Sequence, residues 1–390
     1  RVFHWYYNSF SRCVASTGEQ IDTKHIEMIS KFVLPPKQQQ RRVAIVIAGK
    51  LNKFFFHPTL DHVVANILKM QFSVDYYVFL TTARAKAFRS GAGYTEHFQR
   101  DPQLPKSKFS DSADIEEYMR MAVEKYKGTS MAALTIDKMI DIDSEPLLKS
   151  RRKKAQQSHP DKDPDALFPV FDVRSKEISK RNAIANRNFL RMHLAIQNLW
   201  ANVIKIEEEE GFTYDYVIFM RDDSLWVNGF DIKRFDANGG DVFIPACDDR
   251  DPAMVSHEFN DHILISRRKT ASYFGNYYSK LFETDINACM EALPDTLSKK
   301  GKRGCNTEML LKWIITKNKL SVNLVGQADI PFQRAANVKL PDGSNMQCFH
   351  KFCQSKARPL KLKKGNENIK MCKDINWNSI FKDTKSVTSD

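Results

Sequence analysis

Apolar residues in this chain form short solid runs that alternate with stretches of helical spacing. The run RRVAIVIAGK at 41–50 is almost wholly apolar up to a glycine, and VDYYVFLTT at 74–82 repeats the pattern. Between them, residues 59–70 place their apolar side chains on one face of a helix. Solid apolar runs are typical of strands buried on both faces. A strand, a helix and a strand in this order predict a βαβ unit, and therefore a parallel sheet.

The longest helical pattern extends from about 178 to 209 and stops before Gly211. Its apolar residues are spaced three and four apart and form one stripe: Phe189, Met192, Ile196, Leu199, Val203 and Ile206. Such a stripe predicts packing against a sheet. Further strands are predicted at 132–138, 214–220, 240–246, 261–267 and 319–326, and further helices at 269–283 and 306–318. The alternation predicts an α/β fold, a three-layer αβα sandwich with a mostly parallel central sheet.

Changes in composition along the chain indicate its organisation. The sequence PPKQQQRR at 35–42 reads as a linker, so residues 1–40 are predicted to be an N-terminal arm and linker. The main domain is predicted at 41–335, and residues 336–390 form a C-terminal extension. Within the main domain, the polar, proline-containing segment 149–166 is predicted to be an exposed loop. Its basic run RRKK is interpreted as solvated surface.

The net positive charge of the chain indicates which classes of partner it favours. The chain has 60 Lys+Arg against 47 Asp+Glu, an excess that favours anionic partners such as phosphorylated small molecules, acidic glycans, nucleic acid or a membrane surface. No run approaches the ~18–20 apolar residues of a membrane span, so no transmembrane segment is expected in this chain. The chain begins at Arg1, which leaves an upstream signal or anchor segment open. With such a segment the Golgi lumen is expected, and without it the cytoplasm.

The cysteines leave the redox state open. Their number is odd, seven, and three lie near the C-terminus, Cys348, Cys353 and Cys372. A disulfide and ordinary thiols are both open readings of this cluster. With His350 the three cysteines would also make a zinc set, but their spacing fits no standard ligand pattern.

The strand predicted at 214–220 leads directly into Arg221, Asp222 and Asp223. In open α/β sheets, ligands bind outside the carboxyl ends of the strands. Two adjacent acids repel each other unless a cation or a base compensates, and carboxylates are the ligands that Mg²⁺ and Mn²⁺ prefer. Arg221 could pair with an acid or contact a phosphate. The plain alternative is a polar strand end that enters a turn. The acidic segments at 141–143 and 247–251 are competing candidates.

Three motifs around this strand occur together and in a fixed order. They are YDYVIFMRDDS at 214–224, DVFIPAC at 241–247 and NDHILIS at 260–266, with CNTEMLLKW at 305–313 following later. With the preceding helix, the block 186–265 resembles nucleotide-sugar-dependent glycosyltransferases of the GT-A fold. More narrowly, it resembles poorly characterised predicted glycosyltransferases of plants, algae and protists. The resemblance implies a GT-A-like, Rossmann-like version of the αβα sandwich over about 41–326.

The resemblance also implies site residues. Asp223 matches the acid that contacts the metal or the diphosphate, and Asp222 lies beside it, so that Mn²⁺ or Mg²⁺ is the expected cofactor. Nucleotide-sugar binding is expected at Ala48, Gly49, Lys50, Arg221 and Asp222. The chain departs from the common Asp-x-Asp form, because Arg221 stands two residues before Asp223. Arg221 could therefore replace part of the metal's charge.

A catalytic base is expected at Asp261 or Glu308, with Asp261 favoured because it begins a strand-like segment. His262 and His257 are alternatives. An inverting transfer needs such a base to accept the proton of the acceptor hydroxyl, whereas a retaining transfer does not. The sequence leaves both outcomes open.

The expected function is thus transfer of a sugar from a nucleotide-diphosphate donor to a hydroxyl of a glycan, protein or lipid. No nucleic-acid partner is expected. Two other classes are alternatives: a Mg²⁺-dependent phosphotransferase or hydrolase, and a non-catalytic basic module that binds nucleic acid or an anionic glycan. Against the former, the first strand ends in AGK without an acid, and no G-x-x-x-x-G-K-[ST] loop is present.

Overall fold

The structure of the protein is a computed structural model that describes residues 40–51, 54–82, 112–137, 139–158, 160–161, 163–165, 178–226, 229–237, 239–245, 261–283, 307–325, 329–339 and 345–350. Its centre is a seven-stranded sheet. The strands are β1 Arg42–Lys50, β2 Ser73–Thr81, β3 Thr129–Asp137, β4 Tyr216–Arg221, β6 Val242–Pro245, β7 Ile263–Arg267 and β8 Val322–Val325.

The strand order is β3-β2-β1-β4-β7-β6-β8. Strand β1 pairs in parallel with β2 and β4, β2 pairs in parallel with β3, and β6 pairs in parallel with β8. Strand β7 is antiparallel to both of its neighbours, β4 and β6. The predicted mostly parallel sheet is confirmed, and every strand predicted for it is present.

Helices cover both faces of this sheet. Side chains of β1 alternate between two cores, with Val43, Ile45 and Ile47 in one and Ala44 and Val46 in the other. This two-sided burial is what the solid apolar runs predicted. The layers and the sheet of the expected αβα sandwich are therefore confirmed. No helix in the described part of the chain is long and apolar enough to cross a membrane.

The first core packs under two helices. Helix α1 is made of three consecutive segments, Phe56–Thr59, Leu60–Val64 and Ala65–Lys69, of which the middle one is a π-helical turn. Helix α2 is Ser112–Glu124. Buried side chains of both helices, among them Val64 and Met119, belong to the same core as Ile45.

The second core packs under the remaining long helices: α3 Pro146–Ser158, α4 Ile178–Glu210, α6 Arg268–Gly275, α7 Tyr277–Glu283 and α8 Thr307–Lys317. A one-turn helix, α5 Arg234–Ala237, precedes β6. The predicted stripe of α4 packs into this core through Phe189, Leu199 and Val203. The helix ends before Gly211, whose positive φ of 69° suits a residue without a side chain.

A second, three-stranded sheet branches from the end of β4. It has the antiparallel order β10-β9-β5, with β5 Ser224–Trp226, β9 Phe332–Lys339 and β10 Asn345–His350. The predicted domain boundary at 335 falls inside β9. Residues 1–39 and 351–390 lie outside the described residues, as do Cys353 and Cys372.

The predicted exposed loop at 149–166 is wrong for its first half, because residues up to Ser158 belong to α3. Pro146 suits the first turn of a helix, and Leu, Lys, Arg, Ala and Gln are good helix formers. The helix buries little apolar surface and so shows no stripe. The segment is also anchored, since the buried carboxylate of Asp165 accepts two hydrogen bonds from Arg152, at 2.6 and 2.8 Å, and one from Arg187.

Candidate functional site

The sequence Arg221-Asp222-Asp223 lies where the chain passes from the large sheet to the small one. Arg221 ends β4, the two acids form a turn, and β5 begins at Ser224. Because β7 is antiparallel to β4, its N-terminal end lies beside the C-terminal end of β4. The backbone N–H of Arg221 accordingly donates a hydrogen bond to the carbonyl of His262 at 2.9 Å. This topology brings Asp261 to the two adjacent acids.

Asp222 is bound to the end of β1. Its Oδ2 accepts a hydrogen bond from the backbone N–H of Lys50 at 2.8 Å. A β-carbon on Gly49 would lie 2.2 Å from Cγ of Asp222, so the absence of a side chain at 49 makes room for the carboxyl group. Asp222 is buried. It therefore fixes the turn on the neighbouring strand, which is the strand that a nucleotide was expected to contact.

Arg221 bridges the two other acids. Its Nη1 donates to Oδ2 of Asp261 at 3.1 Å, its Nη2 donates to Oδ2 of Asp223 at 3.3 Å, and its Nε lies 3.3 Å from Oδ1 of Asp223. Burial opposes charge on all three groups. The attraction between the opposite charges outweighs the effect of burial. Despite burial, Arg221 holds the pKa of Asp261 far below its usual range, and Asp223 and Asp261 raise the pKa of Arg221.

His262 completes this cluster. Its Nδ1 lies 3.0 Å from Oδ1 of Asp261, and its Nε2 lies 3.7 Å from Oδ1 of Asp223. The ring stacks on Phe332 of β9, with the ring centres 6.4 Å apart. Burial, followed by the charge of Arg221, lowers the pKa of His262. The imidazole is thus neutral near pH 7, and it links the acids to the small sheet.

Three carboxyl groups, of which Asp222 and Asp223 are buried and Asp261 is 10% exposed, act on the guanidinium of Arg221. Their oxygens are the donors that Mg²⁺ and Mn²⁺ prefer, so the type of donor suits such an ion. In the described residues, however, no three His, Cys, Asp or Glu side chains are placed to hold a metal. In this structure the cation that pairs with both Asp223 and Asp261 is Arg221.

The structure brings together most of the predicted site residues. Gly49 and Lys50 contact Asp222, while Asp223 and Asp261 meet through Arg221. Glu308 is the second residue of α8, but its side chain lies outside the described part, as do His257 and the acidic segment 247–251. The competing acids at 141–143 lie in a loop before α3. Trp226 is a core residue, since it is only 1% exposed, and its indole N–H donates to the sulfur of Met220 at 2.9 Å.

Sequence reasoning missed a pocket on the α4 side of β4. Its empty volume is about 550 Å³, including the part open to solvent. The walls are apolar, from Met192, Ile196, Phe219, Leu264, Phe274 and Leu311, and the polar residues that line it are His193, Arg221, Asp261 and Tyr277. The pocket therefore adjoins the acid cluster. A signal was present: His193 follows Phe189 by four residues and so interrupts the apolar face of α4.

Comparisons with known proteins add little to this geometry. No protein-family model matches the chain, and no curated protein is significantly similar to it. Among solved structures, mouse xyloside xylosyltransferase 1 in its apo form matches with 9% sequence identity and a TM-score of 0.31. The match covers 74% of this chain and 85% of that one. A similarity of this size defines neither a family nor an activity.

Proposed function

We propose that the protein is a glycosyltransferase that moves a sugar from a nucleotide-diphosphate donor to an acceptor hydroxyl. The observation that carries the proposal is the Arg221–Asp223–Asp261 cluster, in which the side chains of Asp223, Asp261 and Arg221 are 3%, 10% and 24% exposed. It lies at the carboxyl edge of β4, directly beside the end of β1, where open α/β sheets bind their ligands. The resemblance of the sequence motifs to GT-A enzymes supports the same reading, because its residues are the ones that meet here.

A diphosphate leaving group needs positive charge at the place where it departs. Arg221 supplies one such charge, held at the sheet edge by two carboxylates. Mn²⁺ or Mg²⁺, which Asp222 and Asp223 would hold, would supply Lewis-acid stabilisation of the leaving diphosphate. Asp222 would hold the ion from a fixed position, since its carboxylate is anchored to β1 by the N–H of Lys50.

Asp261 is the favoured base, and its ion pair controls it. While Arg221 lies against it, the pKa of Asp261 is held far below its usual range, which makes the carboxylate a weak proton acceptor. If a donor diphosphate draws the guanidinium away from Asp261, the burial of the carboxylate raises its pKa and its basicity. His262 keeps the carboxylate oriented through the contact at Nδ1. Donor binding would in this way prepare the base for an acceptor hydroxyl in an inverting transfer.

The test is a thermal-shift screen of UDP- and GDP-sugars, with and without Mn²⁺, followed by turnover assays with the donor that stabilises the protein. Asp223→Asn should remove both stabilisation and turnover while the melting curve stays cooperative. Asp231→Asn is the matched control, because the side chain of Asp231 is 45% exposed and it lies outside the cluster. Stabilisation by no donor in either condition, or full turnover by the Asp223 variant, would overturn the proposal.

A further inference from the structure

The pocket beside the acid cluster contains two buried polar side chains that the proposed chemistry does not use. His193 lies on α4 and Tyr277 begins α7, and both are less than a tenth exposed. Among the described residues, the two ring nitrogens of His193 have no hydrogen-bond partner, and the hydroxyl of Tyr277 has none either. Buried polar atoms without partners are rare in folded proteins, and each needs an explanation.

The two side chains form one unit. Their ring centres lie 4.2 Å apart with an angle of 31° between the ring planes. The ring of Phe189 packs against His193 with its centre at 4.3 Å, which fixes the imidazole from another side. Aromatic packing thus holds the two side chains in place, while their polar atoms stay available to hydrogen-bond a ligand.

The protonation states of the pair are complementary. Burial lowers the pKa of His193 to about 3, so near pH 7 the ring is neutral, with one accepting and one donating nitrogen. Burial, followed by the charge of Asp261, raises the pKa of Tyr277 well above its usual value, so its hydroxyl keeps the proton. The oxygen of one ligand hydroxyl can accept from Tyr277 and from the N–H of the imidazole, which leaves the proton of that hydroxyl free for a base.

The rest of the pocket selects against charge. Apolar side chains such as Phe219, Phe274 and Leu311 form its walls. Its two ionised residues, Arg221 and Asp261, are paired with each other. Arg221 also pairs with Asp223, which lies outside the pocket. A charged ligand would lose its hydration here without gaining a counter-ion. A neutral ring-sized group with one hydroxyl would lose little.

We propose that this pocket binds a neutral, mainly apolar group that presents a hydroxyl to His193 and Tyr277, and that it is the acceptor subsite of the enzyme. The binding of such a group follows from the pocket alone. Its role as an acceptor rests on the proposed function, because it depends on the nearby Asp261 being the base. The acceptor class is accordingly an aryl alcohol or a lipid-like alcohol and not a charged glycan.

The experiment compares benzyl alcohol with toluene, which has a similar shape but no hydroxyl, by isothermal titration and ligand-observed NMR on the full chain. Tyr277→Phe and His193→Phe should each weaken benzyl alcohol binding about five- to tenfold, the equivalent of one lost hydrogen bond, and leave toluene binding unchanged. Tyr278→Phe is the matched control. Tyr278 is equally buried and its hydroxyl also lacks a partner in the described chain, but it does not line the pocket.

The proposed binding pocket would be overturned if Tyr277→Phe bound benzyl alcohol as tightly as the wild type does. It would also be overturned if Tyr278→Phe lost as much affinity as Tyr277→Phe. Tyr277→Phe removes a single oxygen, so it decides the matter even if His193→Phe folds poorly. The acceptor role has its own readout, formation of a benzyl glycoside with the donor identified in the screen. Binding of benzyl alcohol that depends on His193 and Tyr277, without formation of the benzyl glycoside, would support the binding pocket and overturn its role as acceptor subsite. A failure of every sugar nucleotide to bind in the thermal-shift screen would overturn only the proposed function.

Discussion

Gly49 and Asp222 lie so close together that a β-carbon at position 49 would be 2.2 Å from Cγ and 2.4 Å from Cβ of Asp222. The first residue is the last but one of β1 and the second follows β4, two strands that pair in parallel with Ala48 opposite Arg221. The carboxylate of Asp222 is therefore inserted between two strand ends and held by the N–H of Lys50. This explains why a glycine stands next to the end of the first strand and why the turn that contains the acids has a fixed position.

Gly49→Ala should destabilise the protein, because the added methyl group has no space beside Asp222. The expected loss is about 1–3 kcal/mol in the free energy of unfolding, the usual effect of overpacking. Urea denaturation measures it. In an Asp222→Gly background the same substitution should cost much less, since the conflicting side-chain atoms of Asp222 are gone. An equal cost in both backgrounds would show that the contact with Asp222 is not the cause.

The sequence predicts the sheet well because burial on both faces leaves a local signature. Continuous apolar runs identify β1, β2 and β4, and the spacing on α4 identifies the helix that covers them. The small sheet has no such signature, since β5 has three residues and pairs with a strand about a hundred positions later. Helix α3 was missed for the opposite reason: its apolar residues are too few to form a stripe, and periodicity detects only helices with an apolar face.

The site was predicted in its residues but not in its pairings. The motif pointed to Asp222 and Asp223 together as metal ligands, whereas in the structure one is anchored to β1 and the other is paired with Arg221. Adjacent residues at a turn point in different directions, and only the tertiary structure decides what each one meets. The pairing of Arg221 with Asp261 joins positions 40 apart and follows from the antiparallel β7, which no local pattern shows.

Arg221→Met should destabilise the protein strongly, because it leaves two carboxylates in a buried place without their cation. The side chains of Asp223 and Asp261 are only 3% and 10% exposed. Breaking a buried ion pair on one side costs about 3–5 kcal/mol, and urea denaturation should show a loss in this range. Arg151→Met, at an exposed position of α3, is the control and should change stability little.

A second variant separates charge from packing at this position. If the loss comes from unpaired acids, Arg221→Met combined with Asp261→Asn should recover part of it, because one of the two carboxylates is then neutral. Additive losses in the double variant would instead indicate that Arg221 acts through packing of its alkyl chain.

Asp165→Ala should loosen α3, which the sequence alone would assign to a loop. Asp165 is buried and accepts hydrogen bonds from Arg152 and Arg187, and its backbone carbonyl accepts one from the side chain of Asn186 on α4. Removal of the carboxylate should lower the free energy of unfolding by about 3 kcal/mol and speed amide hydrogen exchange in α3. The exposed Asp161 provides the control, as Asp161→Ala should alter neither quantity. Unchanged exchange in α3 of the Asp165 variant would contradict the anchoring.

His193 should make the protein sensitive to mild acid. Its pKa is about 3 in the folded protein, because of burial, against 6.5 in the unfolded chain. Between these values the unfolded chain binds the proton and the folded protein does not, so stability falls as the pH falls below about 6.5. From pH 7 to pH 5 the contribution of this one group is a loss of about 2 kcal/mol.

His193→Phe removes the titrating group and keeps a ring in the pocket. Its free energy of unfolding should therefore fall about 2 kcal/mol less than that of the wild type between pH 7 and pH 5. At pH 7 the variant should be at least as stable as the wild type, since it no longer buries two nitrogens without partners in the described chain. His57→Gln controls for the general loss of a histidine, because His57 lies away from the pocket, beside Tyr118. Parallel pH profiles of wild type and His193→Phe would mean that water or a bound molecule already solvates the imidazole, and the ligand pocket would then be judged by titration with benzyl alcohol alone.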